Sequence, residues 1–186
     1  MDELKPLLEC LIFVSPTPLT PKRVQEVLGE GFTAKAVEEA LQALKADYDS
    51  PDRGLYLQEV AEGLQFRTKP RYSEWIKLMK KAAPTRLSKA ALESLAIIAY
   101  KQPVVKGDIA LLRGVEVDGI LRTLLEKNLI RILGRKEIPG RPILYGTTKR
   151  FLELFELKDL SALPSLEEIK SLSEDPDETE TEAEIE

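Results

Sequence analysis

The sequence has no histidine, one cysteine and few aromatic residues, 6% of its 186 positions. Histidine is the side chain whose ordinary pKa suits proton transfer near neutrality, and it is the commonest metal ligand. Its absence excludes Ser-His and Cys-His nucleophile pairs and every histidine-based zinc site. With Cys10 alone, neither an intramolecular disulfide nor a cysteine metal cluster can form. Cys10 lies in the apolar run Leu7–Val14 without a neighbouring cation, and is expected to be a small core residue. The phosphate loop G-x-x-x-x-G-K-[ST] and the G-x-G-x-x-G fingerprint are also missing. Carboxylate pairs such as Glu38-Glu39 and Glu167-Glu168 fall on outer helical faces by spacing. They read as solvated charge, since acid–base work by two carboxylates needs a cleft that separates their pKa values. No enzyme and no cofactor is expected. No apolar stretch approaches the roughly 20 residues needed to span a bilayer. Leu7–Val14 is short, is preceded by Asp2 and Glu3, and lacks a signal-peptide charge pattern. The expected location is the cytoplasm, with no membrane contact.

Charge is plentiful but unevenly placed. The net charge of −5 conceals a stretch at 161–186 with ten acids against Lys170 alone. Residues 84–160 carry 14 bases and 9 acids, whereas residues 1–83 are near neutral, with 12 bases and 13 acids. Ser173–Glu186 (SEDPDETETEAEIE) has one isoleucine and no aromatic residue, too little to offset chain entropy, and is expected to be disordered.

The remainder reads as a weak repeat. Leu7–Val14 is an apolar run of helix length. Thr20-Pro21 offers an N-cap and a first-turn proline for a second helix carrying Val24, Val27 and Leu28 up to Gly29. A third helix follows Thr33, with Val37, Ala40, Leu41 and Leu44 on one face. Leu55–Val60 and Leu64–Thr68, on either side of Glu62-Gly63, read as a hairpin whose turn projects outward. The second half repeats the order. Ser88 caps a helix with Leu92, Leu95, Ala96 and Ala99; Ile109 and Leu112 lie on the next, ending at Gly114; Val117, Ile120, Leu121 and Leu124 mark the third. Leu129–Leu133 and Pro142–Tyr145 then flank the loop Arg135–Arg141. Leu8 and Leu11 match Leu92 and Leu95 at a shift of 84; Pro18, Val27 and Gly29 match Pro103, Leu112 and Gly114 at a shift of 85. Arg71–Lys81 reads as a connecting helix with Trp75, Ile76 and Met79 buried, and Ala82–Thr85 as a linker.

Three short helices and a hairpin make a winged helix. The expected fold is α+β, mainly α: two tandem winged-helix domains at 1–83 and 84–160, then a disordered acidic tail at 161–186.

The stretch Leu87–Thr148 carries a resemblance. Ala91–Pro103 (ALESLAIIAYKQP), Arg113-Gly114-Val115, Leu121–Leu125 (LRTLL) and above all Gly134–Thr148 (GRKEIPGRPILYGTT) closely resemble the bacterial segregation and condensation protein B family. The opening LLECLIFVSPTPLT and the later LSALPSLEEIKSL agree more loosely, so the likeness reaches about Leu172. It implies a non-catalytic, nucleoid-associated subunit that forms homodimers chiefly through its first domain. The dimer would bind the kleisin, segregation and condensation protein A, which in turn reaches the SMC ATPase.

Two surfaces follow as expectations. Gly134–Thr148 presents Arg135, Lys136 and Arg141 on a wing stiffened by glycine and proline. With Arg113, Arg122 and Tyr145 these form the expected partner contact. Leu8, Leu11, Ile12 and Phe13, in a run with more apolar residues than one core needs, form the expected dimer interface. A tandem winged-helix DNA-binding regulator is the alternative. The third helix of the second half opens with Glu116 and Asp118, which would repel phosphates. Base reading is not expected, but weak sequence-independent DNA contact through the wing, Lys149 and Arg150 is compatible with the residues.

Overall fold

The structure is a computed structural model that describes residues 3–80, 87–165 and 167–169. The expected linker at 82–85 and the acidic segment 173–186 lie outside those residues. The chain is α+β and mainly helical, in two successive units of similar element order.

In the first unit α1 (Leu4–Val14), α2 (Pro21–Leu28) and α3 (Ala34–Asp49) precede the hairpin β1 (Leu55–Val60) and β2 (Gly63–Thr68). Local chemistry sets the helix starts. The Thr20 hydroxyl accepts from the Arg23 N–H at 3.3 Å ahead of Pro21, and the Thr33 hydroxyl accepts from the Ala36 N–H at 3.2 Å. Leu4, Leu8 and Ile12 recur every fourth residue along α1 and close a core with Val24, Val37, Leu44 and Leu57. Cys10 falls on the other side of that helix and is exposed, not in the core as expected. A helix α4 (Ser73–Lys80) follows the hairpin. Of its expected buried face, Ile76 is half-buried, while Trp75 is 71% exposed and Met79 77%.

The second unit runs α5 (Lys89–Lys101), β3 (Val104–Val105), α6 (Lys106–Arg113), α7 (Asp118–Glu126), β4 (Ile130–Arg135), β5 (Ile143–Thr147) and α8 (Lys149–Leu154). The Ser88 hydroxyl caps α5 by accepting from Ala91 N–H, and the Thr148 hydroxyl caps α8 by accepting from Phe151 N–H. The sheet order is β3-β5-β4, all antiparallel. Leu95, Ile98, Ile109, Val117, Leu121, Leu124 and Phe151 form its core. The α5 helix is not buried all round, since Leu92 is 42% exposed, and Leu112 of α6 points to solvent.

The repeat holds in order, and one of its registers changes. The α1 stripe Leu4, Leu8, Ile12 corresponds to Ala91, Leu95, Ala99 of α5, a shift of 87, because burial rather than apolarity defines the equivalent face. Gly29 and Gly114 both take a positive φ, 61° and 70°, at the end of the second helix, which accounts for glycine at both places. The β3–β5 pairing also has a counterpart, an isolated antiparallel bridge between Leu19 and Leu64.

The turn of the first hairpin does not project as a free wing. Ala61 and Glu62 carry φ of 50° and 63°, the left-handed pair of a tight hairpin turn that asparagine and glycine usually fill. The turn is docked on the second unit. The Ala61 N–H donates to the Leu157 carbonyl at 2.9 Å, and the Glu62 N–H to the Lys158 carbonyl at 2.7 Å. Val60 and Ala61 are buried as members of the second core. Lys158 pairs with Glu59 and Lys149 with Glu62, each at 2.8 Å. Surrounding packing thus over-determines a turn whose backbone is costly for alanine and glutamate.

Candidate partner-binding surfaces

The second hairpin is the open counterpart of the docked one. Gly140, Arg141 and Pro142 shape its tip, with φ of 85° at Gly140 and 40° at Arg141. The loop folds on its own backbone: Lys136 N–H donates to the Pro142 carbonyl at 2.9 Å, and Arg141 N–H to the Ile138 carbonyl at 2.9 Å. The Arg135 guanidinium donates to the Arg141 carbonyl at 3.0 Å. Arg135, Lys136 and Arg141 are exposed and reach no carboxylate among the described residues, whereas Lys106, Arg113, Arg122, Lys149 and Arg150 of the same unit are ion-paired. Beside them Ile132, Leu133 and Ile138 are 54%, 44% and 44% exposed. Sequence reasoning passed over these three aliphatic residues, although Ile132 and Leu133 stand in the strand next to the basic loop.

The remaining residues assigned to that contact are buried or ion-paired within the chain. Arg113 is mostly buried and forms an ion pair with Glu93 of α5, joining α6 to α5. Tyr145 is 8% exposed within the second core. Arg122 pairs with Glu126 one turn on, at 2.9 Å. Burial rules Tyr145 out as a surface contact and leaves Arg113 a cross-helix role. The N-terminal end of α7, where a DNA reader would place its base contacts, is occupied as well. Lys106 donates to both oxygens of Asp118 at 2.9 Å, and this holds the Asp118 carboxyl below the usual aspartate range. No cluster of three or more potential metal ligands occurs among the described residues, and no described helix is long and apolar enough to cross a membrane.

The first unit corrects the expected dimer surface. Leu8 and Ile12 are 0% and 2% exposed in the first core. No second chain can reach them in the folded protein. Phe13 and Val14 are well exposed, and Leu11 is half-buried. Leu11 and Val14 line an open groove of about 620 Å³ with Pro16, Pro18, Leu19 and Val27. Arg23, Lys149 and Glu153 stand at its edge. The other apolar surface of this unit is α4, with Trp75, Leu78 and Met79 on one side.

Two helix–hairpin units follow one another, the hairpin of the first docked on the second and the hairpin of the second open. The chain belongs to the family described as segregation and condensation complex subunit ScpB, whose model matches residues 6–166. It is 46% identical over 173 residues to segregation and condensation protein B of Syntrophotalea carbinolica, covering 93% of this chain and 87% of that one. The corresponding protein of Symbiobacterium thermophilum is 48% identical over 163 residues, covering 88% and 74%. The crystal structure of ScpB from Mycobacterium tuberculosis matches at 35% identity and a TM-score of 0.39, covering 83% of this chain and 95% of that one.

Proposed function

We propose that this chain is a non-catalytic subunit of the SMC–kleisin chromosome condensation complex that binds the kleisin as a homodimer. In this reading the two units are winged-helix domains at 1–83 and 84–160, followed by an acidic tail at 161–186. The first domain carries the dimer contact. The second presents its wing to the kleisin, which links it to the SMC ATPase at the nucleoid in the cytoplasm.

The observation that carries the reading is the wing tip, where Arg135, Lys136 and Arg141 stand without carboxylate partners beside exposed Ile132, Leu133 and Ile138. Apolar contacts supply affinity and unpaired cations supply selectivity for an acidic partner segment. A bare phosphate backbone would use the cations and leave the aliphatic residues wet. The regulator alternative loses support because Glu116 and Asp118 place negative charge at the end of α7 where a reader would meet the phosphates. Weak DNA contact through the wing accompanies the kleisin role as a secondary, salt-sensitive interaction.

The test is titration calorimetry of the full chain against the central region of the kleisin. Arg135→Glu with Arg141→Glu should weaken binding about 100-fold, as truncating or reversing buried charge contacts commonly does, with an unchanged circular dichroism spectrum. Unchanged affinity would remove the wing from the interface.

A further inference from the structure

The three-stranded sheet of the second unit has an open edge. Its order is β3-β5-β4, so β4 is paired on one side, and no described strand lies against the other. Arg131, Ile132, Leu133 and Arg135 of β4 are all exposed. Such an edge offers backbone N–H and C=O groups to any extended chain that can approach it. The strand itself (IRILGR) holds two bases and no acid. Those bases oppose pairing with a second copy of β4 and favour an acidic strand.

The chain carries an acidic stretch with the period of a strand. Residues 178–186 read ETETEAEIE, with glutamate at 178, 180, 182, 184 and 186, and Thr179, Thr181, Ala183 and Ile185 between. In an extended backbone successive side chains point to opposite faces. All five glutamates would then share one face, and the threonines, alanine and isoleucine the other. Composition denies this stretch a core of its own, so a strand there needs a sheet that already exists.

We propose that residues 178–186 add to the outer edge of β4 as a fourth strand and occupy the wing surface until a partner displaces them. Charge selects the pairing, because the segment holds no base and β4 holds no acid. Polarity agrees face by face. Arg131 and Ile132 are successive residues of β4 and point to opposite faces. The glutamate row lines up with Arg131, and Ile185 and the threonine methyl groups cover Ile132. The segment also has the reach. Leu160 and Ser161 line one cleft with Arg131, and the Tyr100 hydroxyl donates to the Pro164 carbonyl at 2.7 Å, so the chain passes beside this sheet. The residues from 165 to 178 span about 21 Å at a helical rise and about 50 Å when extended. The length of β4 is roughly 17–20 Å. Docking of the segment stands apart from the kleisin reading above, while its effect on kleisin access rests on that reading.

The full chain supplies the test, by amide exchange at β4 and by calorimetry against the central region of the kleisin. In wild type the β4 amides that point away from β5 should exchange about 10-fold more slowly than in a variant with Glu180→Gln, Glu182→Gln and Glu184→Gln, the ratio for a docked fraction of roughly nine-tenths. A second variant, with Thr179→Glu, Glu180→Thr, Ala183→Glu and Glu184→Ala, keeps composition and charge but breaks the alternation. It should lose the same protection. None of these positions belongs to either core. Equal exchange in wild type and the glutamine variant would overturn the docking. Protection retained by the rearranged variant would overturn strand pairing. Both variants should bind the kleisin about 10-fold more tightly than wild type, because the same docked fraction masks the wing. Unchanged affinity would overturn the occupation of the wing. A kleisin that binds none of the three chains would count against the kleisin reading alone, and amide exchange would still decide the docking.

Discussion

Gly63 begins β2 where the chain crosses Pro18 and Leu19, and a Cβ there would lie 2.8 Å from the Leu19 backbone carbon. The obstacle is backbone, so no rotamer change relieves it. Gly63→Ala should destabilise the chain by roughly 1–3 kcal/mol, the usual cost of overpacking, measured as a lower urea midpoint. Leu8→Ala acts in the opposite sense, by leaving a cavity in the first core, and should cost roughly 2–5 kcal/mol. Its folded fraction should keep the wild-type mass, because Leu8 meets no partner chain; a folded monomer would return Leu8 to the dimer surface. At this scale the sequence was legible where one residue type answers one local need. Thr20, Thr33 and Ser88 cap the helices that they precede. It was illegible where exposure depends on phase. Cys10 and Phe13 share an apolar run with Leu8 and Ile12, and helical rotation alone separates the two pairs.

The docked hairpin turn is the element on which the two units depend. Glu59 sits between Lys158 and Lys45, whose ammonium groups hold its carboxyl below the usual glutamate range, Lys158 most strongly. A lowered pKa means that the pairing contributes stability above the ordinary glutamate value and loses it as pH falls through the depressed one. Amide-exchange protection of Ala61 and Glu62, corrected for intrinsic rates, should therefore fall on acidification before the cores open. Lys158→Ala should reduce that protection at neutral pH and flatten its pH dependence; an unchanged profile would assign the joint to apolar contact alone. The two hairpins were legible in the sequence, from alternation and turn residues. Their unequal fates were not, since docking depends on Leu157 and Lys158, nearly a hundred residues beyond the turn. The short strand β3 and helix α8 were missed for a related reason: two residues of strand and six of helix give no period to read.

Across the whole molecule, composition and order narrow the function before any likeness is invoked. The sequence holds no histidine and one cysteine, and at the third helix of the second half Glu116 and Asp118 bring negative charge, with Asp118 tied to Lys106. Its exposed apolar side chains fall in separate places, α4 on the first unit, the groove where the first unit meets Lys149 and Glu153, and the wing tip on the second. That division suits a dimer that leaves its second units free to hold a partner. The wing loop stood out in the sequence because glycine, proline and arginine concentrate there. The groove and α4 did not, because tryptophan and methionine at helical spacing usually mark a core. The central claim is kleisin binding by the dimer, and the most direct measurement is the mass of the complex formed with the kleisin's central region. A species containing two copies of this chain with bound kleisin, stable at micromolar protein, is the predicted result. Separate elution of the two proteins at that concentration would contradict it.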